Sequence, residues 1–469
     1  MTNNTLLDFE IDHDTMEDVT ALDVVVDGIR TCLREKDRQT LRAFFDAHEP
    51  ADIATFLDRM DADDALAALR YADLREQGQI VGYLKPGCRL DIANLMGRRD
   101  LARLMAAMSH DERVDLFKEL EPVAQEAILP SLAQAEREDL RKLASYPEGT
   151  AGSIMTSDYA TLTPDMRAPQ AIEALRTQAI DAETVYQSYI VDEERRLVGV
   201  VSLRDLIMAR SDQRVSEIMD TQPVFIRAED PSEEAAEKIA RYDLLALPVI
   251  NGGEKLVGIV TQDDAMDVQQ EEATTDFHKV GTVSGLKAGV RDASIFVLYR
   301  ARIVWLVLLV FGNIFSGAGI AYFEDTIAAY VALVFFLPLL IDSGGNAGSQ
   351  ASTLMVRAIA TGDVKLGDWG SMLGRELAIA ALLGVTMAIA VSAIGIVRGG
   401  PEIALVVAMS MVIIVIVGSI IGMSLPFLLS KLKLDPATAS APLVTSIADA
   451  SGVLIYFAIA TQVLQMPAS

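Results

Sequence analysis

Cysteine, histidine and, in the C-terminal third, charged residues are all scarce in this 469-residue chain. The two cysteines, Cys32 and Cys88, lack metal-ligand spacing, which argues against a zinc centre and a disulfide framework and indicates a reducing compartment. The four histidines all lie before residue 300. The first residues, MTNNTLLDFE, contain neither a basic segment nor an apolar core, so no signal peptide is expected.

Basic residues are few throughout: 40 Lys and Arg stand against 66 Asp and Glu, a net charge of −26. Residues 1–301 hold 33 basic and 57 acidic residues, whereas residues 302–469 hold 7 and 9 and are mostly apolar. An acidic segment of this kind repels nucleic acid and anionic lipid and favours cations as partners. The composition predicts an acidic soluble half joined to a membrane half; the alternative is that the acidity only maintains solubility.

Long apolar runs after residue 302 predict membrane spans. Basic residues precede the first run and lie in the loops after the second and the fourth, so these sides are expected to be cytoplasmic. The soluble half is then expected on the cytoplasmic side of a bacterial inner membrane. The C-terminus is expected on the opposite side, as an odd number of spans requires. The five predicted spans are 303–323, 327–358, 371–397, 403–430 and 438–464.

Two internal repeats organise the soluble half. Residues 51–63 recur in weaker form at 99–111 within a region of short amphipathic helices, which predicts stacked helical hairpins in a superhelix. Further on, LVGVVSLRD at 197–205 is matched by LVGIVTQDD at 256–264, each preceded by an Ile-Met motif. This pattern of strands and helix starts resembles a tandem pair of cystathionine-β-synthase-type (CBS) domains over about residues 150–270.

Polar residues inside the spans are candidate functional groups, because charge in a bilayer is costly. Asp449 lies near the middle of the fifth span with no basic residue in any span core to neutralise it; a protonated or hydrogen-bonded structural role is the alternative. In the second span, Pro338 and the run DSGGNAGSQ at 342–350 predict irregular backbone lining a cavity, with ordinary packing of small residues as the alternative. Asn346 would offer a neutral oxygen there.

Oxygen ligands without thiolate or imidazole indicate a hard cation. Mg²⁺ keeps several waters and is held by one or two carboxylates, so one Asp repeated across a two-fold axis suits it. The sequence therefore favours a homodimer with a pore at its axis. Mn²⁺ and Co²⁺ remain alternatives for the same oxygens.

The whole chain resembles the MgtE family of magnesium channels. The resemblance is carried by DFHKVG at 276–281, Pro338 with GGN at 344–346, DPA at 435–437 and SIADASG at 446–452. It implies a homodimer in which Asp449 of both subunits selects hydrated Mg²⁺ and Asn346 lines the same pore. Where some members have Asn before the proline that opens the fifth span, this chain has Ala441.

The resemblance also implies that the acidic half senses Mg²⁺. Like charges repel across domain interfaces, so bound Mg²⁺ favours a compact state that closes the pore through the linking helix. Pro231 and Thr275 stand at positions that can be acidic in the family. The sensor residues carried over by resemblance are Asp264, Asp267, Glu272, Asp276, Glu233 and Asp243.

A nucleotide site is implied by a likeness to nucleotide-binding CBS domains, with the alternative that the pair binds nothing, as many CBS domains do. Ser202 with Asp205, and Thr261 with Asp264, match the hydroxyl and carboxylate that contact a ribose. ATP is the expected ligand.

The predicted fold is multidomain, with an all-α N-terminal helical superhelix, α/β tandem CBS domains, a linking helix and a five-helix transmembrane domain. A membrane-tethered sensor without transport and a CBS-regulated enzyme are rival interpretations, although no nucleophile–base pair supports the latter. The predicted boundaries are 1–148, 149–270 (149–212 and 213–270), 271–302 and 303–469.

Overall fold

The computed structural model describes residues 19–179, 182–281, 293–438 and 441–464. The chain divides into two compact units, Met1–Glu271 and Glu272–Ser469. A helical region and an α/β region make up the first unit. The second contains the long apolar helices.

Short helices make up residues 19–144. Several begin with a proline in the first turn, and Asp73 and Glu76 form a reciprocal capping box at the start of another. They are α1 (Val19–Glu35), α2 (Arg38–Ala47), α3 (Pro50–Leu57), α4 (Ala62–Leu69), α5 (Leu74–Tyr83), α6 (Pro86–Leu95), α7 (Arg98–Ala106), α8 (His110–Glu119), α9 (Pro122–Ile128) and α10 (Gln134–Ala144).

From α3 onwards, each helix packs on the helix two positions later in the chain: α3 on α5, α4 on α6, and so on to α8 on α10. This arrangement is that of stacked hairpins and confirms the predicted helical superhelix. Gly78 shows how close the layers approach, because a Cβ there would lie 2.5 Å from the carbonyl oxygen of Ala107.

Two three-stranded sheets follow, each with one parallel and one antiparallel pairing, in the orders β1-β2-β3 and β4-β5-β6. The two copies confirm the tandem α/β prediction. Their elements are β1 (Tyr159–Leu162), α11 (Ala168–Gln178), β2 (Thr184–Val191), β3 (Leu197–Ser202), α12 (Leu203–Met208), α13 (Val215–Ile218), β4 (Ile226–Arg227), α14 (Ser232–Tyr242), β5 (Ala246–Ile250) and β6 (Leu256–Thr261).

The repeated Val-Gly motif joins the two copies. Thr156, at the start of the first copy, pairs with Ile259 of the second, and Asp220 of the second pairs with Val200 of the first. A Cβ at Gly258 would lie 2.8 Å from the Thr156 carbonyl oxygen. Glycine is therefore needed where the copies exchange their first segments.

A long helix, α15 (Gln262–Val280), continues directly from β6. Residues 282–292 of the predicted linking helix 271–302 lie outside the described residues. The helices beyond are α16 (Ile295–Gly312), α17 (Ile314–Tyr322), α18 (Glu324–Ala329), α19 (Ala332–Ala360), α20 (Trp369–Lys431) and α21 (Ala441–Val463).

Four helical stretches in the described part of the chain are long and apolar enough to cross a membrane: 295–322, 332–360, 366–431 and 441–463. The third is 66 residues long, about 100 Å of helix and too long for one crossing. Gly400 interrupts it with φ 82°, ψ 179°, and Pro401 follows. The stretch therefore contains two spans, so the total agrees with the five spans that the sequence predicts. The first of these helices begins at Ile295 rather than at residue 303.

The predicted irregular backbone in the second span is wrong. Helix α19 runs without a break through residues 342–350, with Pro338 inside it. Its glycines instead allow close contact with α20: a Cβ at Gly418 would lie 2.2 Å from the Gly344 carbonyl oxygen, and one at Gly422 would lie 1.9 Å from that of Gly348. Backbone-to-backbone packing by small residues explains this part of the motif.

Candidate functional site in the membrane helices and candidate cation sites

A polar stripe crosses the surface of helix α19. Asp342, Asn346 and Gln350 are spaced by four residues, so they share one helix face, and all three are exposed. Asn346 donates a hydrogen bond from Nδ2 to Asp342 Oδ2 at 3.0 Å. The Asp-Asn pair lies roughly 15–20 Å along the helix from its start, at a depth where lipid cannot satisfy polar groups.

Asp449 lies beside this stripe. It is half-buried on α21, and a Cβ on Gly345 would come 3.5 Å from Asp449 Oδ1 and 3.0 Å from Thr445 Cγ2. Asp342 is also near enough to act electrostatically on Asp449. The structure thus brings the two predicted pore residues, Asp449 and Asn346, to neighbouring faces of α19 and α21.

Two of the predicted sensor residues face the N-terminal helices. Asp264 and Asp267 lie one turn apart at the start of α15, and Asp111 and Glu112 at the start of α8 act electrostatically on them. Burial, then the charge of Asp111, raises the pKa of Asp264 well above its usual range. Partial burial and Asp263 raise the pKa of Asp267. The contact surface therefore concentrates carboxylates that disfavour one another's charge.

Asp111 has a feature that its neighbours lack. Its Oδ1 is buried and has no hydrogen-bond partner among the described residues. Glu112, by contrast, accepts from Arg89 at 2.9 Å. A buried carboxylate oxygen without a donor is costly unless a cation or water satisfies it.

The remaining predicted sensor residues are dispersed. Glu233 and Asp243 are exposed at opposite ends of α14, about 15 Å apart, so they do not share an ion within one chain. Glu272 is exposed on α15, and Asp276 lies 3.7 Å from Lys279 Nζ, which also pairs with Asp435. Within the described ranges no three His, Cys, Asp or Glu side chains form a ready metal site.

The two predicted ribose-contacting pairs form equivalent caps. Ser202 Oγ donates to Asp205 Oδ2 at 2.5 Å and accepts from the Asp205 backbone N–H, which caps α12. Thr261 Oγ1 donates to Asp264 Oδ2 in the same way. Asp205 is exposed whereas Thr261 is buried, so the first pair is the more accessible to a ligand.

Sequence reasoning included Asp342 and Gln350 only as part of the polar run 342–350, and it assigned no role to Asp111 or Glu112. The four-residue spacing of Asp342, Asn346 and Gln350 on one predicted helix was an available signal for a polar face. Nothing in the sequence alone pairs the start of α8 with the start of α15.

Comparisons with protein families cover most of the chain. The MgtE family model, described as a divalent cation transporter, matches residues 337–459, the MgtE intracellular N domain matches 48–149, and CBS domains match 151–212 and 215–271. The magnesium transporter MgtE of Thermus thermophilus is 34% identical over 441 residues, which is 93% of this chain and 98% of the relative.

Two solved structures resemble the soluble half. The soluble part of a magnesium transporter matches at 30% identity and a TM-score of 0.50, over 54% of this chain and 99% of that one. The cytosolic domain of the Mg²⁺ channel MgtE in complex with ATP matches at 32% identity and a TM-score of 0.49, over 51% and 98%.

Proposed function

Because the chain belongs to the MgtE family of divalent cation transporters, we propose that it carries Mg²⁺ across a cytoplasmic membrane along a path that contains Asp449. The observation that carries this proposal is the carboxylate of Asp449 beside the polar stripe of α19. Carboxylate and amide oxygens at membrane depth are costly in lipid and suit an ion path.

Mg²⁺ is the proposed ion because these groups offer only oxygen. One or two carboxylates with retained waters match its coordination preference. The full-length relative that matches is named a magnesium transporter. Co²⁺ and Mn²⁺ accept the same ligands, so competition measurements distinguish them.

A homodimer is the proposed assembly. In one chain Asp342, Asn346 and Gln350 are exposed, and a bilayer would leave them unsatisfied. A second copy placed on the same face would enclose the stripe and bring two Asp449 carboxylates toward one axis.

The proposed orientation in an inner membrane follows the charge of the loops. Basic residues flank the cytoplasmic ends of the spans, which puts the N-terminal half inside and the C-terminus outside. We also propose the division into domains at 1–148, 149–270, 271–302 and 303–469. The enzyme alternative is set aside because a relative that matches over 93% of this chain is named a magnesium transporter.

Mg²⁺ on the cytoplasmic side is the proposed gating signal. The buried Oδ1 of Asp111, which has no donor among the described residues, and the neighbouring Asp264 and Asp267 form a surface that a divalent cation would stabilise. Ion binding there would relieve repulsion between α8 and α15 and favour the compact state. Glu272, Asp276, Glu233 and Asp243 are proposed as outlying sensor residues.

Coupling to the membrane helices is proposed to run through α15. Near its end, Lys279 pairs with Asp435, in the segment between α20 and α21. Asp276 lies one turn earlier, 3.7 Å from the same ammonium group. A Mg²⁺ ion near Asp276 would therefore compete with Lys279 for carboxylate oxygens.

ATP is proposed to bind the CBS pair at Ser202 and Asp205. Their hydroxyl and carboxylate lie together on an accessible surface, where ribose hydroxyls can replace the hydrogen bond between them. In the second pair Thr261 is buried and Asp264 is partly buried, and this pair is proposed to serve the helix cap and the Mg²⁺ surface first.

Removing the carboxylates of Asp111 and Asp264 should weaken the thermal response of the protein to Mg²⁺. In Asp111→Asn with Asp264→Asn, the repulsion is relieved without an ion, so the melting temperature in chelator should rise. The further increase on adding Mg²⁺ should shrink by about 4 °C or more. Thermal unfolding of the full chain in detergent, with and without Mg²⁺, measures both effects.

The matched control is Glu193→Gln with Glu194→Gln, which removes two exposed carboxylates from the turn between β2 and β3. It should leave the Mg²⁺-induced increase unchanged. A full increase in the Asp111/Asp264 variant would exclude this surface as the sensor. In that case, the flux through the same variant should also still depend on cytoplasmic Mg²⁺.

A further inference from the structure

A large cavity lies between the N-terminal helices and the CBS pair, within the first compact unit. Its volume is about 1090 Å³, enough for a small metabolite. Helices α5, α7, α8 and α10 line one side, and β1, β6 and the turn before β3 line the other. Neither the ribose-contacting pair Ser202 and Asp205 nor any proposed pore residue is among the lining.

Four cations line this cavity: Arg75, Arg113, Lys142 and Arg195. In the described part of the chain none of them has a carboxylate oxygen within 4.0 Å, in contrast to the ion-paired Arg89. A chain with net charge −26 has many carboxylates available to neutralise them. Four unpaired cations around one cavity therefore require an explanation other than chance solvation.

The cations are also held in place. Arg195 Nη2 donates to Tyr159 Oη at 3.0 Å, and Lys142 Nζ donates to the Val257 carbonyl oxygen at 3.4 Å. Arg113 is 4% exposed and donates to two backbone carbonyls, while its Nη1 is buried without a partner among the described residues. Its charge is fixed in the cavity wall.

The lining also includes three carboxylates, and each has a partner. Asp139 Oδ2 lies 2.8 Å from His110 Nδ1, and Asp158 Oδ2 lies 3.2 Å from His110 Nε2. Glu136 Oε2 accepts from the Ala133 backbone N–H at the start of α10. Each of these carboxylates is therefore oriented by its own partner, and among the described residues none of the three lies within 4.0 Å of a lining arginine or lysine, although they act electrostatically on Arg113.

We propose that this cavity binds a small, multiply charged phosphate anion, with Lys142 and Arg195 as its direct contacts and Arg75 and Arg113 supporting them electrostatically. Arginine and lysine bind phosphate oxygens by charge-assisted hydrogen bonds. Because Lys142 belongs to α10 and Arg195 to the CBS pair, the anion ties the two regions together. The lining includes neither the proposed ATP pair nor Asp111, Asp264 and Asp267, although Asp111 is near enough to act electrostatically on Arg113.

Calorimetric titration of the full-length protein in detergent with inorganic pyrophosphate tests this proposal. The buffer is free of Mg²⁺, because pyrophosphate itself binds that ion. One pyrophosphate should bind each chain, and Lys142→Gln with Arg195→Gln should weaken binding by at least about 10-fold. Both side chains are exposed, so we expect this variant to fold, as its melting temperature without ligand will show.

Two further variants separate the site from its alternatives. Arg176→Gln with Arg210→Gln removes equal charge from exposed arginines and should leave pyrophosphate binding unchanged. Ser202→Ala should weaken ATP binding but not pyrophosphate binding. The proposal is overturned if the wild type binds no pyrophosphate, if the two double variants lose it equally, or if Ser202→Ala abolishes it.

Discussion

Asp449→Asn should lower Mg²⁺ flux into proteoliposomes by about 100-fold, because losing one charged contact costs up to about 3 kcal/mol. Asparagine keeps the size and a hydrogen-bonding oxygen at this position but removes the charge that attracts a divalent ion. In a homodimer the substitution removes both Asp449 carboxylates from the same axis, so no charged Asp449 remains to support the flux. A Mg²⁺-sensitive dye trapped in the vesicles measures the flux.

Two further variants show whether the loss of flux is specific to Asp449. Asp363→Asn removes an exposed carboxylate between the second and third spans and should leave flux near that of the wild type. Asp342→Asn removes the carboxylate that partners Asn346 and should lower flux by a smaller factor than Asp449→Asn. Unchanged flux in Asp449→Asn would remove this residue from the ion path and favour the sensor-only interpretation.

Gly422→Ala should strongly destabilise the membrane helices. A Cβ at this position would lie 1.9 Å from the Gly348 carbonyl oxygen, which belongs to helix backbone and cannot move aside as a side chain can. Helices α19 and α20 would have to separate, with loss of packing along their whole contact. Overpacking in a tight core costs about 1–3 kcal/mol, and a backbone clash lies at or above the upper end of that range. Thermal unfolding in detergent measures the loss.

The control for this variant lies on the same helix. Gly374 has nothing within 4 Å of its Cβ position, so Gly374→Ala should leave the melting temperature unchanged or raise it slightly. If Gly422→Ala and Gly374→Ala unfold at the same temperature, α19 and α20 do not pack as closely as described.

Patterns that depend on neighbouring residues predicted much of this fold. The run lengths after residue 302 predicted the spans, and the repeated Val-Gly motif predicted two equivalent α/β copies, with Gly199 and Gly258 at matching positions. Hydrophobic periodicity and repeats are local signals, so tertiary packing changes element boundaries more than element types. The start of the first span, at Ile295, is such a boundary shift.

Contacts between distant segments were harder to predict. Glycines and amides within one span indicated irregular backbone, yet the glycines pack against glycines of a neighbouring helix that lie 74 residues later in the chain. Asp111 and Asp264 are 153 positions apart, and no local pattern pairs them. Glu233 and Asp243 were assigned to the sensor by resemblance, but they lie at opposite ends of a helix of 11 residues.

Mg²⁺ uptake by proteoliposomes containing the intact protein, with Mg²⁺ on the cytoplasmic face held low and then high, tests the central claim most directly. We expect flux at low cytoplasmic Mg²⁺ and suppression at high cytoplasmic Mg²⁺. Absence of flux under both conditions, in a preparation whose melting temperature still responds to Mg²⁺, would contradict transport and leave a membrane-tethered sensor.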